Sequence, residues 1–152
     1  GRDGTMVIPP DRLVSYEMGV SLEDMVSLGA RIAGVDAARI EGFDVHSANL
    51  HMHAFGHSGD VTLVHDSGRR ETLLSIPRWD LHWQRDFAFV EPKVFAREQL
   101  EDVRIRVRCT YLNETDAVVY GGLGSYDEMC FNFSYVALQV SEQATDGADP
   151  TR

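Results

Sequence analysis

The stretch DVRIRVRCTY, residues 102–111, decides the fold class. Val103, Ile105, Val107 and Cys109 fall on one side of an extended chain, and Arg104, Arg106 and Arg108 fall on the other. A period of two with one apolar side is the pattern of a half-buried antiparallel strand whose second face meets water. Working outward, GDVTLVHDSGRRETLLSI (59–76) predicts two strands joined by a tight turn at Asp66-Ser67-Gly68. RLVSYEMGV (12–20), GFDVHSANLHMHAF (42–55), RDFAFV (85–90) and MCFNFSYVALQV (129–140) supply further strands. Strands of this number with polar turns between them predict an all-β chain, an antiparallel β-sandwich or jelly roll.

One segment departs from alternation. In SLEDMVSLGARIAG (21–34), Leu22, Met25, Val26, Leu28 and Ile32 recur at helical spacing, with Ser21 and Asp24 placed as an N-terminal cap pair. A short helix lying on the sandwich is expected there. The tail SEQATDGADPTR (141–152) is polar and carries Gly and Pro, so disorder is expected. That leaves residues 5–140 as the folded domain.

A chain of 152 residues suits one domain with a substantial core. The 24 Asp and Glu outnumber the 14 Lys and Arg, for a net charge of −10, which disfavours nucleic acid as a partner. No apolar run is long enough to span a membrane, and no charged-then-apolar leader opens the chain. The two cysteines, Cys109 and Cys130, are on their own as readily free as bridged.

The chemistry concentrates in ANLHMHAFGH, residues 48–57. On a strand, residues two apart face the same side. His51 and His53 therefore project together with Ser47 and Asn49, while Ala48, Leu50, Met52 and Ala54 form the side expected to enter the core. Two imidazoles suit zinc, copper, iron or nickel; an added thioether favours copper, above all Cu(I). Met52 points the wrong way, and Met6, Met18 and Met25 lie on N-terminal elements. Met129 starts a strand after a glycine-rich turn in GGLGSYDEMCFNFSY (121–135), from which a side chain can reach a cleft. His57 is expected in a turn, His65 in the hairpin, and His46 across the strand from the His51 face. His82, between Trp79 and Trp83, would line a cleft only if those tryptophans were not core. NET (113–115) and NFS (132–134) match the glycosylation triplet, a pattern common by chance.

HMHAFGH followed by RCTYLNETDAVVYGGLGSYDEMCFNFSY resembles the C-terminal domain of the type II copper, ascorbate-dependent monooxygenases, the family of dopamine β-monooxygenase and peptidylglycine α-hydroxylating monooxygenase. That domain carries an H-x-H pair and, much later, a methionine in an E-M-C motif, and the three bind the oxygen-activating copper. His51, His53 and Met129 occupy those positions. TMVIPP (5–10) also looks like the start of that domain, so the resemblance covers residues 5–137. It implies a Cys109–Cys130 disulfide and hence an oxidising location: extracellular, periplasmic or a vesicle lumen. It also implies O2 as co-substrate, ascorbate as reductant, and hydroxylation of an activated C–H bond in a small-molecule substrate.

The sequence departs from the family pattern in three places. It has no further cysteines for the second disulfide usual in that domain, and its 21–40 region is longer than the family's connection. The peptidylglycine enzymes place a carboxylate-contacting arginine two residues before the H-x-H pair. Asn49 stands there, which points away from a peptide C-terminus and toward a small amine or other neutral molecule. Complete enzymes also hold a second copper in an N-terminal domain, which is expected as a partner outside this chain. The alternative is a stand-alone copper-binding or interaction domain without hydroxylase activity. A third reading is a purely structural sandwich whose histidines bind nothing.

Overall fold

The alternation around Val107 becomes the second strand of one of two facing sheets in the computed structural model, which describes residues 3–142. In chain order the elements are β1 (Asp3–Ile8), β2 (Leu13–Ser21), α1 (Leu22–Ala33), β3 (Ile40–His51), β4 (Gly56–His65) and β5 (Arg70–Ile76). There follow β6 (Phe87–Ala96), β7 (Val103–Leu112), β8 (Val119–Gly121), β9 (Phe131–Phe133) and β10 (Val136–Val140). One sheet runs β2-β7-β4-β5; the other runs β10-β3-β6, with β9 also on β3. A separate β1–β8 pair completes the strands. All strand pairs are antiparallel, as the alternation predicts.

Val103, Ile105, Val107, Cys109 and Tyr111 of β7 are buried, and meet Ala48, Leu50 and Met52 of β3 in one core. Arg104 and Arg108 are exposed on the far face. On one flank, the Lys93 ammonium on β6 pairs with the Glu71 carboxylate on β5 and ties the sheets. The opposite flank lies between β2 and the β9–β10 edge, where α1 packs near β10.

The expected helix forms as α1, with Ser21 as its N-cap: the hydroxyl accepts from the Asp24 N–H at 3.1 Å. Gly34 ends it in the left-handed conformation (φ 67°), its N–H returned to the Ala30 and Arg31 carbonyls. Ser21→Ala should lower stability by about 1 kcal/mol, read as a shifted urea midpoint at unchanged slope.

Two features were not legible. First, the pairing of β3 shifts between Val45 and Ser47, and β3 bulges by one residue between Val45 and Asn49 against the β10–β9 side, where Val136 and Phe133 are their partners. Phe43 and Val45 are buried before it, Ala48, Leu50 and Met52 after it, so the inward phase switches from odd to even residues. His46 therefore does not simply lie across from the His51 face; its ring meets Tyr135 edge-on at 5.4 Å. Second, the expected 129–140 strand is split into β9 and β10. The bulge is the cause: the Tyr135 N–H donates to Ser47 Oγ at 3.0 Å instead of a ladder carbonyl.

NET proves to be architecture. Asn113 is fully buried, its amide donating to the Ile8 and Ala117 carbonyls while its Oδ1 accepts from Thr115. From residue 143 onward the tail expected to be disordered lies outside the described residues.

Candidate metal centre

His51 closes β3 and His53 follows it, both half-buried, with Met52 between them fully buried in the core. The strand phase thus sends the two imidazoles to one side. Their ring centroids are 5.3 Å apart at 75°. Burial, and then the nearby His53, lower the His51 pKa, favouring the neutral ring whose lone pair a metal needs. Ala54, expected to continue the buried row, is exposed because the strand has already turned away.

The Met129 segment is bound onto this strand end. β9 pairs with β3 at Asn49↔Phe133, Leu50↔Asn132 and His51↔Phe131. Met129 lies just before β9, half-buried and outside the ladder. Cys130, one residue on, turns to the core and joins Cys109 of β7 in a disulfide that links the two sheets.

Sequence reasoning missed the residues that tie this segment to the end of β3. His53 Nδ1 lies 2.7 Å from the Asp127 carbonyl oxygen. A carbonyl only accepts, so Nδ1 carries a proton, and in the neutral ring the lone pair is then on Nε2, the arrangement usual in metal-ligating histidines. The Glu128 carboxylate is 1% exposed. Its Oε2 accepts from the His53 N–H at 2.8 Å and the Met129 N–H at 3.3 Å, and its Oε1 from the Phe55 N–H at 2.6 Å. Burial pushes the Glu128 carboxyl above its usual range, while these backbone donors pull it back. The Tyr111 hydroxyl, whose pKa burial raises, donates to the Met129 carbonyl oxygen at 2.5 Å. Trp79 Nε1–H donates to the His53 carbonyl oxygen at 3.0 Å. Trp79 covers Gly56, where a Cβ would come within 2.5 Å of the indole. Asp127 and Glu128 are thereby fixed against His53 and Phe55, and Met129 is held by Glu128 and Tyr111.

The two imidazoles suit zinc, copper, iron or nickel. Among the described residues no group of three or more His, Cys, Asp or Glu could hold a metal ion. A thioether added to the His51–His53 pair would favour copper over zinc. The other histidines stand apart from this pairing. His57 is exposed at the start of β4, where its carbonyl accepts from the Trp79 N–H at 2.7 Å. His65 is hydrogen-bonded by Arg69 at 2.6 Å. The His82 ring is almost fully exposed and pairs with Asp80. Of the two tryptophans beside His82, Trp79 is core and Trp83 is 42% exposed. Asn49 Oδ1, on the histidine side of β3, is buried with no hydrogen-bond partner.

The profile of one family, described as copper type II ascorbate-dependent monooxygenase, C-terminal domain, matches residues 29–145. No curated protein matches the chain.

Proposed function

The chain belongs to the family of copper type II ascorbate-dependent monooxygenase C-terminal domains, and from that premise we propose that His51, His53 and Met129 hold one copper ion for hydroxylation of a small molecule. The observation that supports this reading most is the hydrogen-bonding of Asp127 and Glu128 to His53, which ties the segment that carries Met129 to the His53 end of the histidine pair. Bound copper would supply O2 activation and one-electron chemistry, with ascorbate as the electron source. In this reading Asp127 would orient His53 so that Nε2 faces the metal, burial would favour the neutral His51 ring, and the Met129 thioether would bias the site to Cu(I). The exposed phenyl rings of Phe131 and Phe133 border the site, Phe133 edge-on to His51 at 5.7 Å.

The domain proposed for this role is residues 5–140. An N-terminal domain carrying a second copper is the partner that delivers electrons in this scheme. The disulfide suits an oxidising compartment, outside the cell or in a periplasm or vesicle lumen. No described helix is long and apolar enough to cross a membrane.

Titration with Cu(I) and Cu(II) tests the ligand set. Wild type should bind one equivalent of each. Met129→Ala should weaken Cu(I) by at least about tenfold, or roughly 1.4 kcal/mol, with a smaller effect on Cu(II). His51→Ala with His53→Ala should abolish both. Binding that survives loss of both histidines sinks the assignment.

A further inference from the structure

Between the edge strand β2 and β9, under the start of α1, lies a cavity of about 330 Å³. Its walls are Met18, Val20, Met25, Ile105, Val107 and Phe131. The β2–β7 register sets Met18 opposite Val107 and Val20 opposite Ile105, so these side chains share the inner face of their sheet. The opening is apolar as well: Met18, Val20 and Phe131 are 38–44% exposed.

No charged side chain lines this space. Asn132 is its one polar side chain, and both ends of that amide are engaged. Oδ1 accepts from the Asn49 N–H at 3.2 Å, and Nδ2 donates to Ser134 Oγ at 2.9 Å. A charged group entering here would lose its hydration with nothing to pair it. The volume sits at the small end of ligand pockets, about 300–1,000 Å³, which suits one small molecule rather than a peptide segment. Two methionines give the walls a surface that adapts to ligand shape.

The cavity adjoins the metal centre. Phe131 is the cross-strand partner of His51, and its ring lies 6.3 Å from that of Phe133, which touches His51. Three of its walls, Met18, Val20 and Met25, precede residue 29, where the family match begins. The cavity is thus built partly from sequence outside the matched region.

We propose that this cavity binds an uncharged, predominantly apolar small molecule and, resting on the copper reading above, receives the apolar part of the substrate. Phe131 forms its boundary toward His51, so a molecule seated there ends beside the metal ligands. A substrate whose only recognition handle is a carboxylate or ammonium finds no partner in it.

The test uses the metal-free full chain and the neutral fluorescent probe N-phenyl-1-naphthylamine. Wild type should bind it saturably, one to one. Met18→Asp and Met25→Asp should each weaken binding by at least about tenfold, equivalent to roughly 1.4 kcal/mol. Trp83→Ser removes a separate exposed aromatic platform, stacked on Phe87, and should leave binding unchanged. Far-UV circular dichroism checks each variant's fold, and Met18→Trp, which fills the space instead of charging it, should also abolish binding. Absence of saturable binding in wild type overturns the proposal, as does binding lost in Trp83→Ser but kept in Met18→Asp. The same samples titrated with Cu(I) separate the two ideas. Copper binding without probe binding defeats the cavity assignment alone, and probe binding without copper binding defeats the ligand assignment alone.

Discussion

Glu128→Ala is expected to cost about 3–5 kcal/mol of stability and to weaken copper binding at least tenfold. The carboxylate serves the backbone N–H groups of His53, Phe55 and Met129 from a fully buried position. Alanine leaves these donors without partners, and each unsatisfied buried group costs about 1–3 kcal/mol. It also opens a void where the side chain stood. Domains of this kind hold about 5–15 kcal/mol in total, so the loss should appear as a large fall in the urea midpoint. The effect on metal has a separate origin. His53 and Met129 share the same carboxylate oxygen, so its loss frees two proposed ligands relative to each other. Partners that orient metal ligands are worth about 10–100-fold in affinity. Glu128→Gln discriminates further. Its amide oxygen can still serve His53 and Met129, but its NH2 group would face the Phe55 N–H. One donor is then orphaned, for a cost of about 1–3 kcal/mol, and copper affinity should stay near wild type. Equal losses in the two variants would show that Glu128 acts through charge rather than through this geometry.

The fold was readable wherever one sheet face is wet. In β7 the arginines and the apolar residues separate cleanly, and each buried position there matches the alternation. Helix α1 was readable through its cap, since Ser21 and Asp24 act locally and need no tertiary information. What failed was register. Nothing in FDVHSANL marks the bulge between Val45 and Asn49, because both phases of that strand supply apolar residues: Phe43 and Val45 first, Ala48 and Leu50 afterwards. The split of β9 from β10 follows from that bulge, so it was equally hidden.

The candidate site divides along the same line. The His51–His53 pair follows from strand parity, and the exclusion of Met52 agrees with its complete burial. Met129 and the Cys109–Cys130 disulfide came from resemblance, not from spacing. Asp127 and Glu128 carried no readable signal: two acids after a glycine-rich turn look like solvated charge. The hint available was the place of Glu128 two residues before the buried Cys130, where an acid must either be exposed or find donors. The sequence contains no statement of which strand end supplies those donors. That is a property of the β3–β9 pairing.

The disulfide yields the second large effect. Cys109→Ala with Cys130→Ala should lower stability by about 3 kcal/mol, the chain-entropy value for a loop of about 20 residues. For a domain of this size that corresponds to a melting temperature lower by roughly 10 °C. Alanine is the right replacement because both sulfurs are buried; serine would add two hydroxyls with no partners and confuse the reading. The bond joins β7 in one sheet to the segment leading into β9 in the other. Its loss should therefore be felt between the sheets, with amide exchange rising in residues 128–133 more than in the β4–β5 hairpin. Copper affinity should fall less than in Glu128→Ala. The hydrogen bonds from His53, Phe55 and Tyr111 to Glu128 and Met129 should remain in the disulfide-free protein, and Glu128 is held as well by its backbone bonds with Tyr120 and Gly122. If the cysteine variant instead loses Cu(I) as completely as Glu128→Ala while its fold survives, the covalent tie to Cys130 positions Met129. The buried carboxylate is then only a structural acceptor.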